Sequence, residues 1–460
     1  MNQFLRLIII VPVLITNLFA SGSELGHLPL YSVLPFVGIL LSIAILPLVK
    51  YDFWHNNFGK ISFFWLILFS IMFFSSFSAK HYIYYSLHTI LGEFIPFIVL
   101  LTALYIISGG INISGNFTGS PVSNIIIIII GTTLASFIGT TGSAILLVRP
   151  LVKSNLWRKH NVHVVIFFIF LVANIGGSLS PLGDPPLFLG FLEGVPFSWP
   201  FFHMFYPMLI ASILLFIIFF ILDSILYNRE SNIQNNVSSP SKRFSLDGKI
   251  NLVLILFLIL VVYFSGHSSL QEPIFYNFLT TGKIFQILML AALSFLSWNI
   301  TPYAIRKNND YTWFPILEIA KLFITIFITM IPVLEMLKSG QDGKLNFVTN
   351  LVSSDFSYFW VTGFLSSILD NAPTYLVFFK MAQGTAGINE FLLSSGTTLL
   401  AISLGAVFMG AMTYIGNAPN FMIRSIAESY KVKMPSFFGY IMWSSVFLLP
   451  VFFIITYLIL

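Results

Sequence analysis

The chain alternates long apolar runs with short polar connections. The runs are roughly 17–25 residues long, the length that a helix needs to cross the hydrocarbon of a bilayer. They predict spans near 32–50, 60–78, 89–109 and 203–228, and again near 250–265, 283–300, 314–335 and 438–460. This pattern is typical of an all-α polytopic membrane protein.

Four other apolar stretches are interrupted by turn residues. Two are hairpins of half-length segments: 123–138 with 143–152, joined by "GTTGS", and 357–383 around "LDNAPT". Two are broken spans: 162–195, broken at "PLGDPP", and 392–430, broken at "YIGNAPN". Irregular backbone at membrane depth is tolerated only where it is buried in protein or lines a cavity. The interruptions therefore indicate a transporter's binding site.

The order of elements recurs along the chain and predicts two repeats, 30–228 and 250–460, joined by a polar linker at 229–249. Each repeat has three spans, a re-entrant hairpin, a broken helix and a final span. "SLSPLGDPP" aligns with "AMTYIGNAP", which matches Gly183 with Gly416, Asp184 with Asn417 and Pro186 with Pro419.

The distribution of Lys and Arg predicts which side of the membrane each connection faces, since cytoplasmic loops are enriched in both. Lys80, Lys283, Lys338 and Lys344 fall on one side of this topology. The other, cytoplasmic side carries Lys50, Lys60, Lys153, Arg158, Lys159, Arg229, Lys242, Arg243, Lys249, Arg306, Lys307, Lys431 and Lys433. Because three spans precede each hairpin, the repeats are predicted to be inverted, with the linker cytoplasmic and the protein in the inner membrane.

Composition narrows the function further. The chain is 57% hydrophobic and 8% charged, which excludes an ordinary soluble domain. It has no cysteine, so disulfides and thiol chemistry are excluded, and its histidines show no metal spacing. The net charge of +5 is dispersed and does not indicate a nucleic-acid partner. We expect no cofactor. Residues 1–20 resemble a cleaved signal peptide.

Two carboxylates at the interruptions are the main candidates for chemistry. Asp184 and Asp370 each precede a predicted half-helix, so we expect them to cap it and also to bind an ion. A buried carboxyl group can take a proton near neutral pH, whereas a sodium ion favours the ionised form. One carboxylate that cannot hold both would couple Na⁺ to H⁺. The candidates for neutral oxygen ligands are Asn371, Asn417, Thr140, Thr141, Ser143, Ser178, Ser180, Asn174, Thr374 and Thr413. The expected hinge and backbone positions are Gly142, Gly183, Pro185, Pro186, Pro373, Gly416 and Pro419.

Three charged residues near predicted span ends receive weaker interpretations. Glu193 and Asp223 are expected to be solvated there. Arg149, at the end of the first hairpin, is expected to extend to the cytoplasmic interface, or alternatively to hold an anion.

The sequences at the interruptions resemble those of a known group. "IGTTGSAILLVRPLV", "VVIFFIFLVANIGGSLSPLGDPPLFLGFL", "SSILDNAPTYLVFF" and "GAMTYIGNAPNFM" are similar to the NhaD-like sodium/proton antiporter branch of the ion transporter superfamily, which includes citrate carriers and arsenite permeases. The resemblance implies inverted repeats, a homodimer in the lipid bilayer, and ion sites at Thr141-Gly142-Ser143, Gly183-Asp184, Asp370-Asn371 and Gly416-Asn417. This chain departs from that branch in lacking an acid at the first hairpin tip.

Sodium/proton exchange by alternating access is the expected function, with Na⁺ at Asp184 and Asp370. An organic-anion or arsenite carrier of the same fold is the alternative, and Arg149 is its candidate cation. An intramembrane aspartyl protease is a third reading, since it also needs two aspartates, but it gives no reason for the matching "GNAP" break.

Overall fold

The computed structural model describes residues 28–76, 79–115, 117–230, 245–274, 278–339, 343–349 and 352–460. The predicted signal peptide lies outside these residues, as does most of the predicted linker. Within them, nine helices are long and apolar enough to cross a membrane. The predicted all-α polytopic class is confirmed.

The first half of the chain follows the predicted order of elements. Its helices are α1 (Leu34–Val49), α2 (Tyr51–Ser76), α3 (Ala79–Thr89), α4 (Ile95–Ser108), α5 (Pro121–Ile138), α6 (Thr140–Ser154), α7 (Val162–Leu171), α8 (Pro185–Leu192) and α9 (Trp199–Asn228). A 3-10 turn at Leu30–Val33 precedes α1, a π turn at Ile90–Phe94 joins α3 to α4, and a second 3-10 turn lies at Ile175–Leu179.

The second half contains more short elements than the first. Its helices are α10 (Ile250–Ser265), α11 (Thr281–Ile300), α12 (Tyr303–Asn308), α13 (Phe314–Lys338), α14 (Asn346–Thr349), α15 (Asp355–Ile368), α16 (Asn371–Gln383), α17 (Ile388–Ser394), α18 (Gly396–Met409), α19 (Ala418–Ser429) and α20 (Phe437–Ile459). Two 3-10 turns lie at Ser268–Leu270 and Gly410–Met412. Two small antiparallel sheets pair β1 (Asn112–Ser114) with β2 (Ser245–Asp247), and β3 (Pro273–Ile274) with β4 (Leu279–Thr280).

The second span begins earlier than predicted. The predicted spans leave a connection between 50 and 60, but α2 already begins at Tyr51. The side-chain amides of Asn56 and Asn57 donate to the carbonyls of Asp52 and Phe53, one helical turn before them. A polar first turn is compatible with a helix end at the membrane interface. The polar residues at 51–60 are therefore helical and do not form a loop.

The interrupted helices form the centre of the molecule. In the most apolar 18 residues of the broken span Val162–Leu179, 89% of the residues are buried. In the full span Asp52–Phe74 the corresponding share is 22%. Every residue of α18 after Thr398 is also buried. The exposed apolar side chains lie mainly on the complete spans, as expected for surfaces that face lipid. The broken helices are therefore shielded from lipid, which satisfies the condition for irregular backbone.

Candidate functional site

Asp184 lies at the break between the 3-10 turn Ile175–Leu179 and α8. Its backbone is extended (φ −141°, ψ 143°), and its side chain makes no capping hydrogen bond. A capping side chain accepts from the second or third N–H of the helix. Pro185 and Pro186 have no N–H, and the Leu187 N–H donates to the Asp184 carbonyl instead, at 3.1 Å. The prediction that the Asp184 carboxylate caps α8 is therefore wrong.

The free carboxylate is bound by three side chains instead. Thr140 Oγ1 donates to Oδ1 at 3.1 Å, Asn417 Nδ2 donates to Oδ1 at 2.9 Å, and Asn371 Nδ2 donates to Oδ2 at 2.6 Å. Asp184 is only 1% exposed. We call Asp184, Thr140, Asn371 and Asn417 the Asp184 cluster.

Each member of the cluster comes from a different interruption. Thr140 begins α6 at the first hairpin tip, and Asn371 begins α16 at the second. Asp184 and Asn417 precede α8 and α19 at the two helix breaks. The four places that the sequence marks as irregular thus meet at one carboxylate.

Glycines allow the two interruptions of the first half to meet closely. Gly139 alone separates α5 from α6, with φ +80°, a conformation that favours glycine. The next N–H, that of Thr140, donates to the Gly183 carbonyl at 2.8 Å. Gly183 itself packs against the backbone of Gly177, and Gly142 packs against Ser108, leaving no room for a side chain at either position. The expected backbone roles of Gly183 and Gly142 follow from these contacts.

The second break has the same backbone shape as the first. Asn417 is extended (φ −150°, ψ 137°) and makes no side-chain cap, because Pro419 removes the second N–H of α19. Its amide also donates to the Ala173 carbonyl at 3.0 Å and to Asn174 Oδ1 at 3.3 Å. Asn417 therefore ties the second break to the first as well as to the carboxylate.

An asparagine that the sequence reading missed completes this connection. Asn174 Nδ2 donates to Asn420 Oδ1 at 2.8 Å, and Asn420 Nδ2 donates to the carbonyls of Gly410 and Thr413 at 2.8 and 2.9 Å. Asn420 is fully buried. An amide three residues after Asn417 in an apolar segment was the available signal.

Asp370 is placed differently from Asp184. Its carboxylate accepts from the Ala372 N–H at 3.0 Å and so caps α16, as predicted. Thr374 Oγ1 donates to the Asp370 carbonyl at 2.8 Å, and Pro373 occupies the third position of that helix. No hydrogen bond among the described residues joins Asp370 to Asp184.

Most of the other candidate oxygens donate to backbone carbonyls and stabilise the interruptions. Ser178 donates to Ile175 at 2.8 Å, Ser143 to Gly131 at 2.7 Å, Thr413 to Ser367 at 2.5 Å, and Ser180 to Ser136. Thr413 also accepts from the Gly416 N–H at 3.1 Å, and Gly416 packs against the Gly410 carbonyl. None of these hydrogen bonds reaches Asp184.

A small cavity of about 50 Å³ lies beside the Asp184 cluster. Its lining includes Thr140, half-buried Thr141, Asp184, Tyr105 and Ile316. A liquid water occupies about 30 Å³, so this space suits a small ion or one water. Within the described part of the chain, no Lys, Arg or His lies within ion-pair distance of Asp184, and no group of acids and histidines suits a transition metal.

The charged residues near span ends are not solvated as predicted. Asp223 is fully buried, 2.5 Å from Arg158 Nη2 and 2.9 Å from His163 Nε2. Glu193 forms an ion pair with Lys380, with side chains 17% and 12% exposed. The solvated interpretation of Asp223 and Glu193 is therefore wrong. Arg149, which lies in the second half of α6, pairs with Asp310: its Nε is 3.2 Å from Asp310 Oδ2.

Comparisons with known proteins agree with a transport role. The family model described as "Putative citrate transport" (CitMHS_2) matches residues 25–460, nearly the whole chain. No curated protein matches the chain.

Proposed function

Because the chain belongs to this citrate-transport family, we propose that it is a secondary active transporter in which a cation and a proton compete for Asp184, and that it exchanges Na⁺, or Li⁺, for H⁺ by alternating access. The observation that carries the proposal is the Asp184 carboxylate itself: it is buried, bound only by neutral donors, and has no cationic partner among the described residues.

A buried negative charge without a partner is costly in a membrane protein. The charge can be neutralised by a proton or by a bound cation, and one carboxylate cannot hold both at once. Binding of either therefore displaces the other. This competition is the minimal requirement for exchange.

The cluster also contains the oxygens that a small hard cation prefers. The Thr140 hydroxyl can accept from or donate to a neighbour, and an asparagine amide carries N–H groups on one end and an oxygen on the other. Rotation of the Asn371 amide by 180° would replace its donor at Asp184 with an oxygen ligand. We expect this exchange of donor for acceptor to accompany cation binding.

Cation-coupled transport of an organic anion such as citrate is the second candidate. It is favoured by the family description and by a cavity of about 500 Å³ that Arg149 and Lys153 line together with Asn112 and Asn309. In that case cation binding at Asp184 would be coupled to transport of the anion rather than to transport of a proton. Inverted repeats, a homodimer and an inner-membrane location remain part of the proposal.

The test uses everted vesicles from an antiporter-deficient host with a fluorescent pH dye. Added Na⁺ should release the proton gradient, Asp184→Asn should abolish the release, and Asp370→Asn should retain most of it, since asparagine caps a helix as well as aspartate does. Citrate is added in a separate arm with labelled uptake.

The outcomes separate the candidates. Sodium-dependent citrate uptake without proton release would replace exchange with anion transport. Na⁺-driven release that survives Asp184→Asn would remove Asp184 from the mechanism. Loss in Asp370→Asn alone would move the ion site to the second hairpin.

A further inference from the structure

Two ion pairs occupy matching positions in the two hairpins. Arg149 is the tenth residue of α6, and Lys380 is the tenth residue of α16. Both helices begin at residues that hydrogen-bond to Asp184, namely Thr140 and Asn371. At 1.5 Å per residue, each basic residue lies about 13 Å along its helix from the Asp184 cluster.

Each pair joins one half of the chain to the other. Arg149 belongs to the first half and pairs with Asp310, which precedes α13 in the second half. Lys380 belongs to the second half and pairs with Glu193, which follows α8 in the first half. Alternating access that moves one half of the chain against the other would break both pairs.

The two pairs lie at opposite ends of the broken span. At the end of α6, Asn161 donates to the Asn155 carbonyl at 3.2 Å, so α7 starts beside the Arg149 end and runs toward the cluster. After the break, α8 leads away from Asp184 and ends at Glu193, beside Lys380. One pair thus precedes the cluster along this span and the other follows it.

A series of cavities leads from the Arg149 end to Asp184. A vestibule of about 500 Å³ and an inner cavity of about 160 Å³ share Arg149 and Asn309 in their linings. The inner cavity and the cavity at Asp184 share Tyr105. Between them, Tyr105 packs with Ile145 and Ile316 in a small apolar cluster.

We infer that Arg149–Asp310 and Lys380–Glu193 are the two gates of the transport path and that they open in turn. In this structure the side chains of the Lys380 gate are 12% and 17% exposed, while Asp310 is 70% exposed and lines the inner cavity. Tyr105, Ile145 and Ile316 form the inner barrier behind the Arg149 gate. The inference rests on the proposed alternating access but not on which ion or anion is carried.

The absence of cysteine from the sequence makes a direct test available. A single reporter, Thr141→Cys, lines the cavity at Asp184. A membrane-impermeant maleimide is applied to everted and to right-side-out vesicles. Asp310→Asn should raise labelling from the Arg149 side, and Glu193→Gln should raise labelling from the opposite side, each roughly tenfold for a shift of about 1.4 kcal/mol in the gate equilibrium.

Two controls distinguish gating from general loosening. Glu428→Gln removes an ion pair with Arg424 that lies within α19 and joins no two elements, so labelling should not change. The exchanged pair Glu193→Lys with Lys380→Glu should restore the low labelling of the parent. Size-exclusion chromatography checks that each variant is folded.

The inference fails if both gate variants raise labelling from the same side, or if folded variants leave labelling unchanged on both sides. Because the readout requires no transported substrate, this failure is distinguishable from a failure of sodium/proton exchange. If sodium/proton exchange is not observed but labelling is side-specific, the assignment of the gates stands and the transported substrate is a different one.

Discussion

At the residue scale, Asp184 and Asp370 occupy similar helix starts but have different partners. Pro185 and Pro186 have no N–H to donate to a capping carboxylate, whereas the Ala372 N–H donates to the Asp370 carboxylate. The two prolines that follow Asp184 are visible in the sequence. They already indicate that Asp184, unlike Asp370, is a poor helix cap. The donors that replace the cap could not be predicted, since Asn371 lies 187 residues from Asp184 along the chain.

The donors around Asp184 should set the affinity of the site for its cation. Replacing Asn371 with Ala removes the shortest of the three hydrogen bonds to the carboxylate. A hydrogen bond to a charged group contributes about 1.5–3 kcal/mol. We expect the Na⁺ concentration for half-maximal response to change at least tenfold in the vesicle assay.

Ser178→Ala is the matched control for Asn371→Ala. Ser178 is equally buried but donates to the Ile175 carbonyl within its own 3-10 turn. Its removal should leave the half-maximal concentration unchanged. An equal effect of both substitutions would mean that the serine predicted as a ligand acts at the ion after all.

At the element scale, the hydrophobic pattern predicted most helices and the four interruptions that meet at Asp184, but not the 92° bend between α17 and α18. The boundaries of α5, α10 and α20 lie within two residues of those expected. The misses have physical causes: α2 begins in a polar stretch that remains helical, and the short sheet of β1 with β2 depends on a contact between the first half and the end of the linker. Strands of three residues are too short to show an alternating hydrophobic pattern in the sequence.

The helix breaks depend on close backbone contact. A Cβ at Gly183 would overlap the Gly177 carbonyl, so Gly183→Ala must move one interruption away from the other. Overpacking of a tight interior costs about 1–3 kcal/mol. We expect a lower melting temperature in detergent and loss of transport. Gly387→Ala, where an added Cβ has no neighbour within 4 Å, should keep the parent melting temperature; an equal loss there would contradict this account.

At the scale of the whole molecule, the four interruptions converge because the broken helices fill the protein centre and the complete spans surround them. The order of the long apolar helices could be predicted from one sequence, but their convergence on a single carboxylate could not, because it depends on long-range contacts. The predicted cytoplasmic face and inverted orientation rest on the distribution of Lys and Arg and remain predictions. The family match over residues 25–460 supports transport as the role of this assembly.

The central claim, competition of a cation and a proton for Asp184, is tested most directly on the purified protein. Na⁺ is titrated into weakly buffered protein in detergent with a pH indicator, over a range of starting pH. The account predicts proton release at low pH that fades as pH rises, because the carboxyl group then holds no proton to displace, and no release from Asp184→Asn. Equal release from Asp184→Asn, or Na⁺ binding that is independent of pH, would contradict it.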